Sequence, residues 1–98
     1  MPIDLHFICP LRQNWKALGE NRFQTGNWYV SEAVATEAVG GRIYLHEKQS
    51  AEAWHGGTIV EMRPSELPDR YVFTYVVDAP FRVKCKTGWG QEKAIIRR

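Results

Sequence analysis

The stretch Tyr71-Val-Phe-Thr-Tyr-Val-Val-Asp78 decides how this chain is read. Valine, phenylalanine, threonine and tyrosine favour extended backbone, and here apolar residues occupy both alternating faces. A strand that is apolar on both sides belongs in the middle of a sheet, so 71–78 is predicted to be central and buried. Ala79-Pro80 ends it, because proline has no N–H to give to a ladder.

The neighbouring segments read outward from it. Arg82-Val-Lys-Cys-Lys86 alternates, with Val83 and Cys85 inward and Arg82, Lys84 and Lys86 sharing the other face. Gly88-Trp89-Gly90 turns the chain, and Lys93–Arg97 is predicted to return as a last strand. On the other side, Pro64–Arg70 is a loop with the turn signal Pro68-Asp69. Thr58–Arg63 and Arg42–Lys48 are strands joined by a loop over Gln49–Gly57, which makes 42–86 a contiguous antiparallel meander. In the 42–48 strand Ile43 and Leu45 oppose Tyr44, His46 and Lys48.

Ser31 is suited to cap a helix, Glu32 to its positive first turn, and Gly40-Gly41 to stop it after Ala33–Val39. Trp28-Tyr29-Val30 is a brief extended segment, and Glu20–Asn27 a loop with a turn at Thr25-Gly26-Asn27. Leu11, Trp15 and Leu18 recur at helical spacing between Pro10 and Gly19, which predicts a short helix over 10–18. Ile3, Leu5, Phe7 and Cys9 alternate with Asp4 and His6 as a first strand. Five or six short strands with two short helices make an α+β fold, a small and mostly antiparallel β-barrel or curled sheet.

The chain has 98 residues, which suffice for one domain with one core. Its hydrophobic fraction of 44% and charged fraction of 24% are those of a globular protein. No apolar run reaches the ~20 residues of a membrane span, and the start Met1-Pro2-Ile3-Asp4 lacks the features of a secretory signal. A cytoplasmic location follows as the expectation, with Cys9 and Cys85 as free thiols rather than a disulfide. Two cysteines and three histidines without C-x-x-C or H-x-x-x-H spacing predict no structural metal, and nothing implies a cofactor.

Net charge is +2, unevenly spread. Residues 1–81 carry seven Lys/Arg against ten Asp/Glu, and residues 82–98 carry six against one. The basic end, with Arg82, Lys84, Lys86, Arg97 and Arg98, is the footprint of a polyanion or else a solvated tail. Four tryptophans is a high count for so short a chain. Trp15 lies on the apolar stripe and belongs to the core, whereas Trp28, Trp54 and Trp89 sit beside glycines or loops. Each of these three is either core packing or a wall for a flat ligand.

The order of features resembles the PUA-like superfamily, especially its EVE- and YTH-type members. Asn14-Trp15-Lys16 is followed by Trp28-Tyr29, then by Gly41-Arg-Ile-Tyr-Leu-His46, and after a loop by Gly56-Gly57-Thr58-Ile-Val-Glu61. The resemblance runs from about Phe7 to Asp78. It implies a small β-barrel flanked by helices that holds a modified or flipped base in an aromatic pocket. The chain is shorter than a typical EVE domain and has Gly-Gly where many members have Gly-Asp.

Together these readings predict a nucleic-acid-binding module, with DNA or RNA as partner. Trp28, Tyr29, Trp54 and Trp89 would line one cavity beside His46, Lys48, Gln49 and Ser50, whose polar groups would read a base edge. Arg82, Lys84, Lys86, Arg97 and Arg98 would meet the phosphate backbone. The alternative is a small protein–protein interaction or regulatory module, since exposed aromatics and arginines also mark interfaces. A third reading, an ASCH-type amidohydrolase, resembles Lys48, Thr58 and Glu61. Regular alternation counts against it, because it sends Thr58 and Glu61 to opposite faces.

Overall fold

The computed structural model describes residues 3–9, 14–78, 80–85, 89–90 and 93–97. Along the chain come β1 (Ile3–Ile8), β2 (Trp15–Gly19), β3 (Arg22–Tyr29), α1 (Glu32–Ala38), β4 (Arg42–His46), β5 (Ala53–Pro64), β6 (Arg70–Val76) and β7 (Lys93–Arg97). The strands form one mixed sheet in the order β2-β3-β6-β5-β4-β1-β7. β1 and β4 are parallel, and the remaining neighbours are antiparallel. The fold is therefore β-dominated, with an open sheet and one helix among the described residues, rather than a closed barrel with two helices.

The sheet is strongly curled. Phe7 on β1 stacks on Trp28 of β3 with ring centroids 4.2 Å apart, although β6, β5 and β4 lie between those strands in the sheet order. The concave side holds the core, in which Leu5, Phe7, Ile43, Leu45, Ile59, Phe73 and Tyr75 are fully buried. The predicted central strand is β6, flanked by β3 and β5, with Phe73 and Tyr75 inside.

Helix α1 forms where Ser31 and Gly40-Gly41 predict it. Ser31 Oγ accepts a hydrogen bond from the Val34 N–H at 3.2 Å, satisfying a backbone donor that the first turn leaves without a helical partner. Gly40, at φ +92°, leads out of it. Ala35 and Ala38 face the core, so the helix is held as much by burial as by its cap. Ser31→Ala is expected to cost about 1 kcal/mol, read as a lower urea midpoint with an unchanged slope.

Four predictions are corrected. The helix over 10–18 is replaced, at 15–19, by β2, while residues 10–13 lie outside those described. Trp15, opposite Thr25, packs against the core, while Ala17 and Leu18 are exposed, Leu18 at 43%. The loop over 20–27 is largely β3, reached through the two-residue turn Glu20-Asn21 with both φ values positive, as a twisted hairpin requires. Its Thr25-Gly26-Asn27 signal marks a break in register between Thr25 and Trp28, not a turn. The strand over 82–86 does not form in its described part, 82–85. Val83 N–H closes a three-residue turn on the Phe81 carbonyl, and a bond from Ala53 N–H to the Val83 carbonyl ties the segment to β5.

β5 begins earlier than predicted, at Ala53, and runs through Gly56-Gly57 as strand. Neither glycine needs positive φ here. A Cβ on Gly57 would run into the Val76 carbonyl oxygen, so the residue serves close backbone approach.

Candidate functional site beside a buried histidine pair

β1 and β4 are apolar toward the core and carry rings on the opposite face. His6 lies opposite Tyr44 in the β1–β4 register, with His46 next along β4. Regular alternation places His46 on a polar, solvated face, but this face is covered too. Tyr44 stacks on His6 at 4.8 Å, and Trp89 meets His6 and His46 edge-on at 6.0 and 5.2 Å. His46 is fully buried and His6 nearly so.

The two imidazoles share a hydrogen bond, His6 Nδ1 to His46 Nε2 at 2.8 Å. Its direction follows from a second contact. His46 Nδ1 lies 2.9 Å from the Ala51 carbonyl, which can only accept, so His46 carries its proton on Nδ1. In the neutral ring Nε2 is then bare, and His6 Nδ1–H donates to it. Burial, and then the proximity of His46, push the His6 pKa down to about 4. Burial also lowers that of His46, opposed by the Ala51 carbonyl. The pair is therefore neutral near pH 7. Its bond to Ala51 anchors the 47–52 loop.

That loop forms one side of a hollow of about 330 Å³, bounded by Gln49, Ser50, Lys84, Cys85 and Trp89. Gln49 Nε2 donates to the Gly90 carbonyl at 2.9 Å, which ties the loop to the segment carrying Trp89. Trp89 Nε1–H donates to the Cys85 carbonyl at 2.7 Å. With one edge bonded and two imidazoles against it, the indole is a fixed wall. Lys84 and Arg82 are exposed, and the half-buried Phe81 and Val83 alternate with them, so the predicted sidedness survives without a ladder. Lys86 and Arg98 lie outside the described residues, and Arg97 is described only as backbone of β7.

The sequence-predicted site divides. Gln49, Ser50 and Trp89 come together, joined by Lys84, which had been assigned to backbone contact. Trp28 and Trp54 do not join them. Trp28 stacks on Phe7 and donates to Thr25 Oγ1 at 3.0 Å. Trp54 donates to the Cys9 carbonyl at 3.0 Å and lies edge-on to Trp15. Tyr29 is 59% exposed, with the Lys93 ammonium 4.9 Å and the Arg70 guanidinium 5.8 Å from its ring centroid. Lys48 is exposed on the loop and His46 is sealed beneath it. His6, which pairs with His46, is absent from the predicted set.

A second titratable cluster lies in the core. Tyr75 OH accepts from Trp15 Nε1 at 2.7 Å and shares a hydrogen bond of 2.6 Å with His55 Nδ1. Burial raises the Tyr75 pKa and keeps the phenol neutral. The amidohydrolase set behaves differently from its prediction. An irregularity in β5 between Ile59 and Glu61 lets Thr58 and Glu61 pair with Val76 and Thr74, two apart on β6, so both lie on one face. Lys48 is nevertheless remote. It follows β4 at the Ala53 end of β5, about 16 Å along the strand from Thr58. The Thr58 hydroxyl donates to the Asp78 carboxylate at 2.9 Å.

Among the described residues, no group of three or more His, Cys, Asp or Glu side chains is placed to hold a metal ion, and no helix is long and apolar enough to cross a membrane. No protein-family model matches the chain, and no curated protein or solved structure is significantly similar to it.

Proposed function

We propose that this chain is a nucleic-acid-binding module that receives one nucleobase, plain or modified, in the hollow walled by Trp89. The observation that carries this reading is the convergence of four chemistries on one hollow. An indole wall suits a flat ring, the Gln49 carboxamide and Ser50 hydroxyl suit a base edge, and the Lys84 ammonium suits the adjoining phosphate. A volume near 330 Å³ is enough to receive a single base. The exposed Arg82 extends the basic rim. The PUA-like resemblance and a cytoplasmic location belong to the same proposal, although an open sheet with one helix differs from the flanked barrel that family implies.

The test is intrinsic fluorescence. Titration at low salt with single-stranded oligonucleotides, with and without a modified base, should quench emission. Trp89→Ala should weaken binding about 5–150-fold, the worth of one stacked base. Lys84→Gln should reduce the dependence of binding on salt. Trp28→Ala, which disturbs the core, serves as the contrast. Absence of quenching, or a Trp89→Ala variant that binds unchanged, would remove the base from the hollow. The protein-interaction reading would then take precedence, supported by the exposed Leu18 on edge strand β2.

A further inference from the structure

A second hollow, of about 400 Å³, opens at the far end of β5 from the Trp89 site. Its floor lies on the convex face of the sheet. Lys16, Gln24, Thr74 and Glu61 are successive cross-strand neighbours there, and Val72 with Arg63 forms the next row. The break in β3 sets Gly26 and Asn27 against Val72. A Cβ on Gly26 would stand 2.7 Å from Val72 Cγ2, so the glycine keeps the floor low.

Internal hydrogen bonds leave this hollow rich in donors. The Ser65 hydroxyl donates to Asn27 Oδ1 at 2.6 Å, and Leu67 N–H donates to Ser65 Oγ at 3.1 Å. Arg70 donates to the Asn27 carbonyl at 3.1 Å. Those contacts occupy the acceptors of Asn27 and fix its carboxamide, while its Nδ2 donors have no protein partner among the described residues. The same holds for the Gln24 carboxamide and for the Lys16 and Arg63 cations. Lys16 and Arg63 face Glu66 on the lining, a sum of +1, and Glu61 at the end of the first row brings the immediate surroundings to zero.

We propose that this hollow is a second binding site, for the oxyanion of a phosphate ester. The ionised oxygens of a phosphate accept, which suits the carboxamide N–H groups of Asn27 and Gln24 on the lining. Arginine meets such oxygens in a two-pronged fork, while lysine supplies a point charge. Arg63 on β5 and Lys16 on β2 stand three strand spacings apart, about 14 Å between backbones, and border the hollow from opposite rims. The ester is either a free phosphomonoester or a phosphodiester of a polynucleotide. The site does not depend on a base in the Trp89 hollow.

The experiment is an NMR titration of the Asn and Gln side-chain amides with four probes. These are inorganic phosphate, a nucleoside 5′-monophosphate, a short single-stranded oligonucleotide and the neutral sugar methyl glucoside. At least one phosphate-bearing probe should shift the Gln24 and Asn27 amides, and K16Q/R63Q should weaken that binding tenfold or more. Both substituted residues are exposed, so the double variant should fold normally. Shifts with phosphate or the monophosphate identify a monoester ligand, and shifts with the oligonucleotide alone identify a phosphodiester. Trp89→Ala should leave these shifts in place. No shift with any phosphate probe, an equal response to methyl glucoside, or undiminished binding by K16Q/R63Q overturns the proposal.

Discussion

Phe73→Ala is expected to lower the free energy of unfolding by about 3–5 kcal/mol. Phe73 is fully buried on β6, facing Thr25 across one ladder and Met62 across the other. Its ring lies 6.3 Å from that of Phe7, which in turn stacks on Trp28. Removing the ring opens a void whose walls are strands paired on both sides, so the backbone cannot collapse to fill it. Domains of this size have about 5–15 kcal/mol in hand, and the variant should therefore denature at far lower urea. Val60→Ala, at an exposed irregularity in β5, should stay within about 0.5 kcal/mol of wild type. A Phe73→Ala loss below about 2 kcal/mol would show that the site relaxes far more than its two ladders allow.

That central strand was legible because its signal is local and redundant: every second residue is apolar on each face. The helix was legible for the same kind of reason, since Ser31 and Gly40-Gly41 mark its ends whatever it packs against. The hairpin of β2 and β3 was not. Leu11, Trp15 and Leu18 fit a helical stripe as well as a strand, and what decides between them is distant in sequence. Trp15 finds its N–H acceptor in Tyr75 and stacks on Phe23, contacts that only the folded sheet supplies. The turn residues Glu20-Asn21 also lack the glycine that usually announces such a hairpin. In the 82–85 segment alternation was read correctly as sidedness and wrongly as pairing, because period two does not reveal whether a partner strand is present.

The candidate site shows the same limit. Gln49, Ser50, Trp89 and Lys84 each carry a chemical type that a ligand could use, and sequence marked all four. It also marked Trp28 and Trp54, because tryptophan in a loop and tryptophan at a strand end look alike until their N–H partners are known. The pairing of His6 with His46, forty positions apart, left no local trace. Both sit on the polar side of an alternating strand, which predicts solvent. Burial comes instead from what the topology lays over them, the Trp89 segment and the parallel contact of β1 with β4.

The histidine pair should make this protein acid-sensitive well above the range of ordinary carboxylates. His6 has an ordinary pKa near 6.5 when unfolded and about 4 in the folded chain. Between those values the unfolded chain binds the extra proton and the folded chain refuses it. Stability is therefore full above about pH 6.5 and falls as pH drops toward 4, by roughly 3 kcal/mol at about 1.4 kcal/mol per pKa unit. His46 is shifted in the same direction. Because the two rings share one hydrogen bond, their protons are taken up in steps that belong to the pair. A single proton can be held on His6, which still donates through Nδ1. A second places N–H groups of both cations against each other in a space closed by Tyr44 and Trp89. Urea midpoints measured from pH 7.5 to 4 should show the decline in wild type. His6→Asn, whose amide can supply a donor near the Nδ1 position without titrating, should be weaker at pH 7 yet flatter toward acid. Parallel profiles for the two proteins would assign the acid loss to carboxylates instead.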